Sequence, residues 1–336
     1  MSKKTKVIIF GAIGLTATIA AIGLSLTLKA PSTPKISFGT PPPEPNLGSN
    51  VKPTTPVSIL FTKNDFPEIE QLPLLVLNPS AELDEASVKQ IATTFGFTQN
   101  PITSNDISRG KTFIWASEKE ALTVYFGSKI FEYSLFEAGA KIQKQFTNEE
   151  VVNIAKNFLL THKIITQEDL GESTINFLGV QFDKNTVNLT NRQSANLFQV
   201  NFSKKFNGLT LIFLDPLSAP AAVEVLKNGN VTRAKISLLQ NIVMTKELYK
   251  LKNFDQVKAS INQATIISVD DGYISPTEIK AGLLTKITIS EINLGYLVDS
   301  PNPVTLQPVY VFKGKTTLSE TGQTVSVVLY MPALIQ

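Results

Sequence analysis

An α+β fold behind an N-terminal transmembrane helix, with helices covering antiparallel sheets, is the architecture the sequence predicts. Three observations predict it. Near its N-terminus the chain holds 22 consecutive uncharged residues, Val7 to Leu28. Beyond residue 58 there are few helical stripes and many short alternating segments. Asn-Gly steps punctuate those segments, and their geometry suits tight hairpin turns.

The uncharged stretch is justified first. At ~1.5 Å per residue it reaches ~33 Å as a helix, enough for a ~30 Å hydrocarbon core. Lys3, Lys4 and Lys6 precede it, which by the positive-inside rule keeps the N-terminus cytoplasmic and sends the rest across the membrane. The exit, Leu28-Lys29-Ala30-Pro31, lacks a small-x-small cleavage site. Residues 1–29 are therefore expected to be a cytoplasmic tail and an uncleaved single-pass anchor in the cell membrane, with an extracytoplasmic body. Gly14, Thr18, Ala21 and Ser25 form a stripe of small residues along that helix. Residues 30–57 hold 8 of the 19 prolines and read as a linker, with an extended reach of roughly 80 Å at ~3.1 Å per residue.

In the folded part, Val88, Ile91, Ala92 and Phe95 make an apolar stripe over Asp84 to Phe95, with Gly96 as the stop. Thr147-Asn148-Glu149-Glu150 is a capping-box signature ahead of Val151, Ile154, Ala155, Phe158 and Leu159. A third, shorter helix is expected near Asp255 to Asn262. Phe198, Val200 and Phe202 alternate with polar residues, and the chain resumes after Asn207-Gly208 with Leu209 to Phe213, so these two runs predict a hairpin. A second hairpin is predicted for Val223–Val225 and Val231–Ile236 around Asn228-Gly229. Helix followed by three, four and three strands is a crude repeat of helix-covered meanders. A small α+β lobe at 58–140 and a larger domain at 141–336 follow from that order.

Composition excludes several chemistries. With no cysteine among 336 residues, thiol nucleophiles, disulfides, iron-sulfur clusters and thiolate zinc sites are ruled out. His162 is the only histidine; it stands at the end of the second predicted helix and reads as structural, so paired-histidine metal sites are absent. Residues 1–57 carry six lysines and one glutamate, leaving the remainder net −2 out of a total of +3. The basic balance thus belongs to anchor and linker and is no nucleic-acid footprint. Arg109-Gly110-Lys111-Thr112 resembles the end of a phosphate-binding loop, but Asn105 occupies the position of its first glycine. Asp270-Asp271-Gly272 reads as a turn rather than a calcium loop. Ser32-Thr33-Pro34-Lys35 has a catalytic serine-lysine spacing but lies in the linker. Glu149 and Glu150 suit a helix N-terminus. Glycosylation sequons stand at Asn188, Asn201 and Asn230. No catalytic, cofactor-binding or metal residue is assigned, and no cofactor is expected.

Two stretches carry a resemblance. Ile287 to Tyr296, with its Leu294-Gly295-Tyr296 step, precedes Leu306 to Gly314, a Pro-Val-aromatic strand. This looks like the end of the YycH/YycI type of membrane-anchored bacterial regulatory protein. Phe198 to Ile236 is similar to those proteins and to PepSY-type modules. The resemblance implies a non-enzymatic regulator that contacts an envelope protein such as a sensor kinase, held to the membrane by residues 7–28. The long proline-rich linker and the lobe at 58–140 depart from that family's pattern. The leading expectation is a membrane-tethered extracytoplasmic binding or regulatory protein that is not an enzyme. Its rivals are a cell-wall glycan hydrolase using paired carboxylates and a stalked ligand-binding or adhesive domain.

Overall fold

Hydrogen bonding along the chain is dominated by strand ladders. The computed structural model describes residues 39–48, 52–53, 58–62, 66–77, 84–107, 110–136, 146–181, 186–214, 218–237, 239, 242–270, 274, 279, 283–299 and 305–336. The elements, in order, are β1 (Ser58–Phe61), β2 (Gln71–Leu77), α1 (Glu85–Thr94), β3 (Ile102–Asp106), β4 (Gly110–Ala116), β5 (Glu120–Tyr125), β6 (Ile130–Leu135) and α2 (Asn148–Thr161). They continue with β7 (Ser173–Gln181), β8 (Thr186–Leu189), β9 (Leu197–Phe202), β10 (Lys205–Phe206), β11 (Leu209–Phe213), β12 (Ala221–Leu226), β13 (Val231–Ser237) and β14 (Ile242–Lys250). α3 (Phe254–Ser260), β15 (Thr265–Val269), β16 (Leu284–Val298), β17 (Thr305–Leu318) and β18 (Thr324–Pro332) complete the order.

The three α-helices among the described residues begin where their caps dictate. The Asp84 side chain accepts from the Ser87 amide at the start of α1. Thr147 and Glu150 form the expected reciprocal box on α2, and Asn253 with Gln256 does the same for α3. Each such cap satisfies amides that the first turn leaves without a helical partner.

The expected fold class is corrected. Of the described residues, 52% are strand and 15% helix, so the fold is mainly β rather than a set of PepSY-like, helix-covered α+β repeats. The strands merge into two nine-stranded sheets. The first runs β10-β11-β16-β17-β18-β15, with β1 on β16 and β2 bridging β14 and β17. The second runs β3-β4-β5-β6-β13-β12-β9-β7-β8 and is antiparallel throughout. The physical reason is the edge problem. A three- or four-stranded meander leaves two rows of unpaired backbone groups, and long-range joins such as β6 on β13 or β1 on β16 remove them. Local periodicity carries no information about such joins.

The expected membrane location is corrected as well. Among the described residues no helix is long and apolar enough to cross a membrane. Val7 to Leu28, with its small-residue stripe, lies outside the described residues, as does Ser32 to Lys35. Nothing in the fold thus carries a single-pass, extracytoplasmic assignment.

One predicted hairpin also rearranges. β9 pairs with β7 and β12 in the second sheet, whereas β11 pairs with β10 and lies parallel to β16 in the first. The Asn207-Gly208 turn forms, with φ of 49° and 81°, but it joins β10 to β11. The chain changes sheets between Phe202 and Lys205. The β12–β13 hairpin forms around Gly229 at φ 86°.

Each sheet packs a helical layer on one face. Val88 and Ala92 of α1 and Val151, Ala155 and Leu159 of α2 pack with Trp115, Phe131, Phe198, Val200, Val223 and Ile236 of the second sheet. On the first sheet, Val257 of α3 and the following Ile261 pack with Ile287, Ile289, Tyr310, Phe312 and Leu329. Within the first sheet, β11 approaches β16 closely at Gly295, where an added Cβ would stand 2.4 Å from both the Thr210 carbonyl oxygen and Ile212 Cδ1. The Leu-Gly-Tyr step therefore needs its glycine for backbone clearance.

Gly295→Ala is expected to lower unfolding free energy by about 1–3 kcal/mol through overpacking against a backbone atom. Gly179→Ala, whose new Cβ meets nothing closer than 3.7 Å, should change it little. Urea unfolding of the two variants checks the contrast; equal effects would contradict it.

Candidate functional site

The two faces left without helices look toward each other across a cleft. On the second sheet, Phe198, Val200 and Phe202 enter the helix-covered core, so alternation sends Gln199 and Asn201 to the other face. Register then assembles two polar rows there. One crosses β7, β9, β12 and β13 as Asn176, Gln199, Glu224 and Arg233. The next crosses the same strands as Thr174, Asn201, Ala222 and Lys235. From the first sheet, Ile212, Val311, Val328 and Tyr330 supply an apolar wall.

Two cavities fill this cleft, of about 680 and 520 Å³, in the size range of small-molecule sites. Phe213, Ser218 and Ala219 border both. The larger contains Asn176, Gln199, Glu224, Arg233, Lys235 and Asp299. Asn176 Nδ2 donates to Gln199 Oε1 at 3.0 Å, which fixes the amide pair. Glu224 has a side chain only 19% exposed and meets the Arg233 guanidinium at a long 3.9 Å. Burial pushes its carboxyl above the usual range, and the guanidinium charge offsets part of that rise.

The smaller cavity adjoins the place where the chain changes sheets. The Ser203 amide donates to the Glu172 carbonyl, and the Gly171 amide to the Ser203 carbonyl, at 2.9 and 2.8 Å. At the mouth, Lys205 of the first sheet pairs with Glu172 beside the second at 2.7 Å, and Lys313 pairs with Glu291 at 3.4 Å. The Tyr330 hydroxyl donates to the Phe213 carbonyl at 3.1 Å.

The residues that sequence patterns single out do not gather here, with one exception. His162 caps α2; its ring stacks on Phe95 at 3.8 Å, meets Phe158 edge-on, and places Nδ1 2.9 Å from the Thr94 carbonyl. Lys111 pairs with Glu85 on the surface; Ser108 and Arg109 lie outside the described residues, as do Asp271 and Gly272. Asp270 follows β15 in a left-handed conformation. The exception is Asn201, met only as a sequon, which lines the smaller cavity at 6% exposure. Asn188 and Asn230 are exposed. Among the described residues no group of three acidic or histidine side chains could hold a metal ion. The cleft's own signal in sequence is faint: polar residues opposite a buried strand face read as solvent-facing.

No protein family and no curated protein matches the sequence. Among solved structures, the chain is similar to an uncharacterized protein from Eubacterium rectale, at 12% identity over 78% of this chain and 82% of that one. The TM-score is 0.43, too low to support any inference.

Burial holds the His162 imidazole below its ordinary value, so the unfolded chain binds a proton that the folded chain resists. Stability is expected to be full above pH ~6.5 and to fall as the pH drops from there toward the folded value. His162→Phe keeps the stack and removes the titrating ring. Urea midpoints measured from pH 5 to 8 should lose this slope in the variant; an unchanged slope would assign it to other groups.

Proposed function

We propose that this chain is a non-enzymatic recognition protein whose ligand enters the cleft between the two sheets. The observation that carries the reading is the cleft's construction: a polar wall with a half-buried carboxyl faces an apolar wall across a volume of ligand size. Holding Glu224 in a place that disfavours its charged form costs stability, and such costs concentrate at sites of function. The resemblance to YycH/YycI-type regulators supports a protein, such as a sensor kinase, as the reader of the bound state.

A second reading rests on Glu224 and Asp299 bordering one cavity. A carboxyl with a raised pKa that shares a cavity with a second carboxylate is the equipment of glycan hydrolysis. Turnover of a glycan that is abolished by Glu224→Gln, with binding retained, would select this reading over the first.

Ala219 borders both cavities, so Ala219→Trp should plug the cleft from the connection between β11 and β12. The test is the thermal unfolding midpoint of the full chain in the presence of saccharides, amino acids or short peptides. At a ligand concentration near 100-fold Kd, binding adds about 2.7 kcal/mol and raises the midpoint by several degrees. The rise should vanish in Ala219→Trp while circular dichroism is unchanged. No rise with any class, or a rise that persists in the plugged variant, overturns the proposal.

A further inference from the structure

We propose that the larger cavity binds a zwitterion with an apolar body, the chemistry of an α-amino acid or of a di- or tripeptide with both ends free; this rests on the reading of the cleft as a recognition site and names what it takes. Four ionic groups border the cavity: Glu224, Arg233 and Lys235 from the second sheet, and Asp299, just after β16, from the first. Contacts within the protein leave them open. The Arg233 side chain is 64% exposed, and at 3.9 Å its guanidinium stands beyond hydrogen-bond distance of Glu224. Lys235 is exposed, and its cross-strand neighbour Glu132 accepts from the Tyr125 hydroxyl. Among the described residues neither Lys235 nor Asp299 has a side-chain partner. The Glu224 carboxylate accepts no hydrogen bond from a described residue. Unlike the Asn201 Oδ1, its oxygens are not sealed from solvent, so a ligand can reach them.

Balance and spacing narrow the class. Two cations and two carboxyls line the cavity, so a ligand of one sign leaves the other sign without a partner in a partly enclosed place. Glu224 and Arg233 stand directly opposite each other on β12 and β13. An anion alone at Arg233 sits beside Glu224, whereas an ammonium group on Glu224 favours the charged form that burial opposes. A ligand carboxylate at Arg233 and Lys235 with an ammonium at Glu224 matches both signs, and the Asp299 charge adds to the attraction for the ammonium. Farther along the same row, the bond from Asn176 to Gln199 leaves Asn176 Oδ1 and Gln199 Nε2 unbonded to any described residue. These are one acceptor and one donor, the complement of a peptide group. Phe213, Leu214 and Val298 offer the apolar body its contact from the side of the first sheet. Four strands at ~4.8 Å spacing carry the row about 14 Å, room for two or three extended residues.

The test is titration calorimetry on the full chain with leucine, leucyl-alanine and alanyl-leucyl-alanine, against the N-acetyl and C-terminal amide forms of each and against maltose. At least one free-ended ligand is expected to bind. Its acetylated and amidated forms should each bind about tenfold or more weakly, the equivalent of one lost charge-assisted contact. Tightest binding of leucine assigns an amino acid, and tightest binding of a longer ligand assigns a peptide. Glu224→Gln should erase the preference for a free amine and keep that for a free carboxylate; Arg233→Gln should do the reverse. Loss of affinity for every form alike in both variants is what a merely structural role predicts, and it overturns the inference. Absence of binding by any free-ended ligand, or binding indifferent to acetylation or amidation, does the same. Maltose binding in the absence of zwitterion binding, blocked by Ala219→Trp, would overturn the zwitterion and leave the cleft standing; zwitterion binding that Ala219→Trp does not block would overturn both.

Discussion

The crossing of the chain from one sheet to the other between Phe202 and Lys205 is the constraint on which the rest depends. Two residues, Ser203 and Lys204, separate a strand at the heart of the second sheet from a strand at the edge of the first. Facing sheets normally stand about 10 Å apart with interdigitated side chains. Here the crossing is tied by reciprocal bonds between Ser203 and the Gly171–Glu172 segment and by Lys205 on Glu172. The inner faces are joined at this point, and beside it they border the two cavities.

Supply of covering elements explains why the inner faces differ in character. Among the described residues three α-helices serve two nine-stranded sheets, and they sit on the outer faces. The second sheet turns amides and charges inward, whereas the first turns a smaller apolar cluster inward, with Leu47 and Leu214 packed against part of it. Leu47 comes from the proline-rich stretch, whose Gly39 amide and Pro43 carbonyl bond to Leu248 and Gln307. A polar face opposite an apolar one cannot close as a dry core, because charges such as that of Arg233, whose side chain is 64% exposed, would lose their water. The same mismatch that prevents closure recommends an amphipathic ligand.

Local signals were legible in the sequence, and long-range ones were not. The helix start near Asp84, the capping box at Thr147, the turn at Asn228-Gly229 and the buried stripe of α2 depend on residues a few positions apart, and sequence reasoning places them correctly, although the Asp84 side-chain cap itself is seen only in the structure. The Asn207-Gly208 turn was legible as a turn, but its strands belong to another pairing, because register with β16 at Gly295 is decided some 85 residues away. Gly295 was legible within a Leu-Gly-Tyr step, yet its reason, clearance for Thr210 and Ile212, needs the folded sheet. The cleft was not legible at all. Asn176, Asn201, Glu224 and Tyr330 come from four separated strands, and each alone resembles an ordinary surface or core residue.

The central claim is that a ligand sits in the cleft between the sheets. A crystal structure of the full chain soaked with the ligand that raises its unfolding midpoint most tests it most directly. The account requires ligand density in the cleft, between the row of Asn176, Gln199 and Glu224 on the second sheet and the residues of the first sheet that face it. Density confined to the outer, helix-bearing faces, or inner faces closed together with Asn201 bonded to protein, would contradict it.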